Sequence, residues 1–387
     1  MGKILADKSV QYHNGSYNCR GGVAIDKDPE SPNYGTLYTS TGGAFGIQRY
    51  TPELTKNGSP ILKSHFTADN IHSPYRIEAN AGKLYIADNA YNNPGVWVYD
   101  PANGEVATNM FVGTNDGNGQ IVNGSVATGG QSTGVAFVGT GDDRKMYTFS
   151  EDYPTSNAGN KVIRYDLGQN DTWAAAPSAQ FDAVSALLAN VNVELVATEK
   201  GVFCSQTRYS GNNAEGIPAF AHIAHDGTIT FNSASIASTL DGCNGGGMAL
   251  QDDLFAIVDG SANIIMYNIA YDGNTPKFTY KYTIVTPTTT TEVNQLEFDP
   301  AGNIYAYSRQ DGLLVYSLKA DARTATTVAP KAQVLEGPEV LVGIDKVEIE
   351  TAPAVYYNLQ GVQVENPTSG IYIVKRGNKV TKERIVR

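Results

Sequence analysis

One short phrase recurs along this chain: a polar turn followed by an apolar residue and an aromatic. The pairs are Leu37-Tyr38, Leu84-Tyr85, Met146-Tyr147, Val202-Phe203, Leu254-Phe255 and Ile304-Tyr305, at spacings of 47, 62, 56, 52 and 50 residues. The clearest copy is the sixth, where Leu296 and Phe298 alternate before Asp299-Pro300-Ala301-Gly302 and Asn303-Ile304-Tyr305 resumes after it. Such a copy reads as strand, tight turn, strand. A third strand follows and ends on an aromatic, as in Val96-Trp97-Val98-Tyr99, Val162-Ile163-Arg164-Tyr165 and Leu313-Leu314-Val315-Tyr316. A second polar turn, such as Asp226-Gly227, then leads to a fourth strand.

Four short antiparallel strands repeated about every 50 residues define a β-propeller blade. A lone four-stranded sheet leaves apolar surface uncovered, whereas sheets packed radially cover one another. The recurrent aromatics are expected to fill the gaps between blades, and six or seven blades fit. A seventh would have to lie between Gly113 and Ser132, a Gly- and Asn-rich stretch that reads as an excursion loop. Ile4 to Tyr12 is expected to supply the outer strand of the last blade. Helical periodicity is confined to Phe181–Ala189, read as one short helix or turn. The architecture resembles that of NHL-type and WD40-type propellers, but neither a Trp-Asp nor a Gly-His signature is present.

Forty glycines, 23 tyrosines and only 17% charged residues agree with a turn-rich, all-β chain. The net charge of −11 argues against a nucleic-acid partner, which would need clustered Lys and Arg. No apolar run is long enough for a transmembrane helix. The residues Met1–Asp7 lack the apolar core of a signal peptide, so the chain is expected to be cytoplasmic or a mature form with its signal removed. Of the three cysteines, Cys204 and Cys243 form a conceivable disulfide, while Cys19 is left over.

The repeats stop after Lys319, which divides the chain into a propeller over 1–335 and a second module over 336–387. Lys375–Arg387 carries a net +5 against −16 for the rest. The module has strand-like runs at Val355-Tyr356-Tyr357, Val362-Gln363-Val364, Gly370–Val374 and Lys379-Val380, read as a small antiparallel β-sandwich-like domain. Tyr357-Asn358-Leu359-Gln360-Gly361-Val362-Gln363-Val364 and Asn366-Pro367-Thr368-Ser369-Gly370-Ile371-Tyr372-Ile373-Val374 resemble the C-terminal sorting domain of type IX secretion in Bacteroidota. That resemblance implies an exported protein, at the cell surface, extracellular or periplasmic.

In a propeller, one face is built from the loops joining strand two to three and from the residues leading into each blade. Placing the repeats puts Arg20, Tyr75, Arg76, Asp88, Asn89, Tyr91, Tyr153, Arg208, Tyr209, Asp259 and Arg309 there. Flat aromatics beside bidentate donors and carboxylates suit a glycan or a polar peptide. Arg76 and Glu78 alternate on an inner strand, either paired across the central channel or poised for a ligand. Oxygen ligands such as Asp88, Asp259, Asn244 and Asn294 suit Ca2+, as in propeller lactonases, although no cofactor is required. Gly245-Gly246-Gly247 precedes a strand and is no phosphate loop. His222 and His225 are expected on a solvated outer strand. No catalytic motif is visible.

The reading is therefore a monomeric, non-catalytic protein that binds a glycan, peptide or protein through one propeller face. The alternative is a propeller hydrolase, lactonase or lyase with a divalent cation in its channel.

Overall fold

The computed structural model describes residues 3–4, 22–40, 46–51, 54–61, 76–88, 95–101, 107–109, 113–115, 121–123, 126–127, 131–151, 161–167, 178–182, 193–206, 220–233, 247–259, 263–285, 293–308, 312–317, 333–335, 355–358, 362–364, 366, 368, 370–376 and 379–385. The chain forms two compact units, Met1–Val340 and Leu341–Arg387.

Among the described residues, the first unit is a β-propeller of six blades. Their inner strands are Gly22–Ile25, Arg76–Asn80, Gln131–Val138, Val193–Thr198, Met248–Gln251 and Val293–Phe298. Each inner strand touches the next, and the sixth touches the first, so they form a closed ring. The second blade's inner strand meets the third's directly. The strands Gly113–Asn115, Ile121–Asn123 and Val126–Ala127 make a small sheet of their own, so among the described residues no seventh blade intervenes. Lys3–Ile4 pairs antiparallel with Gly312–Ser317, the third strand of the sixth blade. The first and last parts of the propeller are thereby joined in one sheet. In the fifth blade, Gln333–Leu335 adds a strand outside Thr275–Val285.

Six apolar clusters account for the ring, one for each pair of successive blades. Tyr38, Tyr85, Tyr147, Phe203 and Tyr305 each project towards the following blade. The fifth blade breaks this rule. Its Phe255 packs backwards against Phe203 and Phe220 of the fourth blade, with ring centroids 5.0 and 5.4 Å apart. The cause is register: Leu254 follows the two-residue turn directly, opposite Gln251, whereas in the second blade Lys83 takes that place and Leu84-Tyr85 comes one residue later. One residue of offset exchanges the two faces of a strand.

Three further expectations change. Phe181 and Asp182, the first residues of the expected helix or turn, are extended, and residues 183–189 lie outside the described residues. Phe181 lies in the outer strand Ala179–Asp182 opposite Val162 and fills the gap between the third and fourth blades, where burial outweighs local periodicity. His222 is wholly buried on the third strand of its blade, not on a solvated outer strand. It packs 4.6 Å from Phe203, while His225 sits half-buried in the following turn and hydrogen-bonds Tyr147 Oη. Cys204 is a free, buried thiol in the cluster between the third and fourth blades, and burial pushes its pKa up to about 12. Cys19 and Cys243 lie outside the described residues.

The second unit contains one antiparallel sheet in the order Gln363–Val364, Val355–Tyr357, Gly370–Arg376, Lys379–Ile385. Asn358 closes a turn by donating its N–H to Val362 O at 2.8 Å and accepting Val362 N–H on its side chain at 2.9 Å. Tyr372, whose hydroxyl accepts the Thr368 N–H at 3.1 Å, is buried together with Val374.

Tyr305 tests the inter-blade packing. It is 5% exposed, between Val23 and Ile25 of the first blade and Val315 of the sixth, and donates to Asp299 Oδ2 at 3.2 Å. Tyr305→Ala should lower the unfolding free energy by roughly 3–5 kcal/mol, and Tyr305→Phe by only about 1 kcal/mol. Chemical denaturation measures both, and an alanine cost no larger than the phenylalanine cost would contradict this packing.

Candidate functional site

The start of each inner strand pairs with the end of its blade's second strand. Gly22 lies opposite Ser40, Arg76 opposite Ala87, Gln131 opposite Glu151, Val193 opposite Gln206 and Val293 opposite Ser308. The two-to-three loops and the lead-in residues therefore leave from the same ends of their blades. At these inner-strand starts, charged and amide side chains from several blades meet.

Gln295 of the sixth blade accepts the Val23 N–H of the first at 3.0 Å and donates to Ile77 O of the second at 3.0 Å. Its side chain also bonds Glu194 of the fourth. Arg76 donates from Nε to Glu194 Oε2 at 2.6 Å, spanning from the second blade to the fourth. Both side chains are buried. Of the two readings open for Arg76, this is the geometry of the cross-channel pair. Two glycines permit the approach. A Cβ on Gly22 would stand 2.2 Å from Gln295 Oε1, and one on Gly247 would stand 3.3 Å from the Gln295 backbone.

Just past the end of the first inner strand, Lys27 bonds Glu297 of the sixth at 2.6 Å. Burial works against the Lys27 charge, but Glu297 and Glu78 outweigh it and raise its pKa. Burial pushes the Glu194 carboxyl up to about 8, restrained by the charge and hydrogen bond of Arg76. Glu78 is driven well above the usual carboxylate range, first by burial and then by Glu297, with Lys27 opposing and Glu194 adding to the rise. Three carboxyl groups and two basic groups thus share the centre of the ring. Such groups neutralise one another and tie blades together, but each costs desolvation.

Asp259, also nominated for the face, is bound within its own loop. Asn263 donates its N–H to Oδ1 at 2.8 Å and its side-chain amide to Oδ2 at 3.0 Å. Asp299 and Asn303 make the same pattern in the sixth blade. Asp88 ends a described strand, but its side chain, like that of Asn294, is outside the described set. Arg20, Tyr75, Asn89, Tyr91, Tyr153, Arg208, Tyr209, Asn244 and Arg309 lie outside the described residues altogether. Among the described residues, no three His, Cys, Asp or Glu side chains group as metal ligands.

Glu194, Glu297 and Lys27 were missed in the sequence. The available signal was the one that marked Arg76 and Glu78, a charged or amide residue breaking an otherwise apolar inner strand.

No family model matches the chain, and no curated protein matches it in sequence. Among solved structures, it is similar to a gluconolactonase from Xanthomonas campestris at 13% identity, over 81% of this chain and 93% of that one, with a TM-score of 0.47. It is also similar to a soluble aldose sugar dehydrogenase from Escherichia coli at 11% identity, over 81% and 98% of the chains, with a TM-score of 0.46. For virginiamycin B lyase from Staphylococcus aureus the figures are 11%, 88% of each chain and 0.44. Likenesses at this level carry no argument about chemistry. The propeller assignment rests on the six sheets and their closed ring.

The raised Glu78 pKa has a definite sign. Between its unfolded and folded pKa values the carboxyl binds a proton when folded and loses it on unfolding, so its contribution is full below the unfolded pKa of about 4.3 and is lost as pH rises through the folded value. Glu78→Gln should therefore stabilise the protein relative to wild type at pH 8, with the advantage shrinking towards pH 5. Melting curves across that range measure it, and a gap independent of pH would refute the assignment.

Proposed function

We propose that this chain is an exported, non-catalytic binding protein, secreted or held at the cell surface, that takes a glycan, peptide or protein partner on the face bearing the two-to-three loops. The observation that carries this reading is the set of Arg76, Glu194 and Gln295 contacts at the starts of the inner strands. Side chains engaged with one another are not offered to a ligand, so recognition is assigned to the loops around them. Those loops contain Tyr75, Tyr91, Tyr153 and Tyr209 beside Arg20, Arg208, Arg309, Asp88 and Asn89. Rings supply stacking planes, and guanidinium, carboxylate and amide groups supply directional hydrogen bonds. A rigid ring displaying such loops is the usual arrangement for a recognition surface.

A glycan array probed with the intact protein and with Tyr75→Ala, Tyr91→Ala and Tyr209→Ala tests the face. Retention should fall about tenfold where a stacking ring is removed, and retention unchanged in all three variants would reject the face as the binding surface.

Export is supported by the likeness of the second module to a type IX sorting domain. Residues 341–387 fused behind a periplasmic reporter should carry it to the cell surface or medium of a Bacteroidota host. A reporter that stays in the periplasm would overturn the export reading.

A further inference from the structure

A second recessed surface lies on the outer rim, away from the inner strands. The fifth blade's outer hairpin, Ile264–Asp272 with Thr275–Val285, contains strands of nine and eleven residues. The fourth blade's outer strand, Ile229–Asn232, has only four. The hairpin overshoots, and its Thr275–Phe278 segment stands beside that outer strand across a groove of about 560 Å³. The volume is within the range of small-molecule sites, roughly 300–1,000 Å³.

We propose that this rim groove is a saccharide-binding site, independent of the loop-bearing face. Its floor is formed by Phe231 and Phe278, half-buried rings from different blades with centroids 5.0 Å apart. Thr230, Asn232, Thr275 and Lys277 also line it, residues whose side chains end in hydroxyl, amide and ammonium groups. A sugar ring presents an apolar C–H face and a polar perimeter, which matches aromatic floor and polar wall.

The Thr230 hydroxyl is positioned from behind. It is held 2.6 Å from Nδ1 of His222, which is itself wholly buried against Phe203 and Tyr271. Burial, with His225 nearby, lowers the His222 pKa to about 4, so the ring stays neutral at physiological pH. Lys277 lies 3.9 Å from Asp272, and both are largely exposed, which leaves the ammonium able to meet a uronic acid carboxylate. An extended peptide fits less well. Strand addition needs an edge of free N–H groups, and the hairpin wall includes Pro276, which has none.

The test uses the intact protein against immobilised short oligosaccharides, neutral and uronic acid-containing, followed by titration of those retained. A Thr275→Ala variant should lose about tenfold in affinity while melting as wild type. Lys277→Gln should weaken only the uronic acid series. Repeated in a Tyr75→Ala/Tyr91→Ala background, which removes the contribution of the loop-bearing face, the rim variants should lose affinity by the same factor. The rim proposal is overturned if no saccharide is retained, if only extended peptides are, or if the rim variants bind normally. Loss confined to the face variants would overturn the rim site while leaving the face reading intact.

Discussion

Burial between neighbouring blades is the constraint on which the propeller depends. No single four-stranded sheet here has a core of its own; each apolar cluster draws side chains from two successive blades. Such an arrangement is stable only when the first and last blades also cover each other. The cluster of Val23, Ile25, Leu37 and Tyr50 with Tyr305, Tyr307, Leu313 and Val315 makes that closing contact, and Lys3–Ile4 reinforces it through backbone pairing.

The centre of the ring follows a different logic. Six inner strands brought this close need small residues at the contacts, met by Gly22 and Gly247, and something to fill the remaining space. The filling is polar. Gln295 and the Arg76–Glu194 pair connect the first, second, fourth and sixth blades through directional bonds. Apolar packing sets how tightly the blades fit, while these bonds constrain how they are turned relative to one another. The desolvation of Glu78 and Glu194 is the cost of that arrangement.

Most of the blade order was legible because turn chemistry and two-residue alternation are local properties. Asp299-Pro300-Ala301-Gly302 announces its turn, and Tyr305 lands on the expected side. The same reading fails at Leu254-Phe255, which resembles the other pairs in composition but stands one residue nearer its turn. Phe181 and His222 were misplaced for a related reason. Periodicity and polarity describe a segment alone, whereas a position between blades is worth enough burial to override either preference. Asp259 was nominated as a ligand from its place in a loop, and its carboxylate proves to be engaged by Asn263 four residues later.

The amino-acid sequence by itself determined the all-β class, the approximate blade length and the end of the loop-bearing face, because each depends on strand period and turn spacing. Only the tertiary structure decided that the described strands make six blades, that Phe255 faces backwards, and that Arg76 pairs with Glu194 across the channel rather than standing ready for a ligand. It also brought Ile229–Asn232 beside Thr275–Phe278. These partners are separated by tens to hundreds of residues, and no local pattern encodes a contact whose energy exists only after the ring has closed.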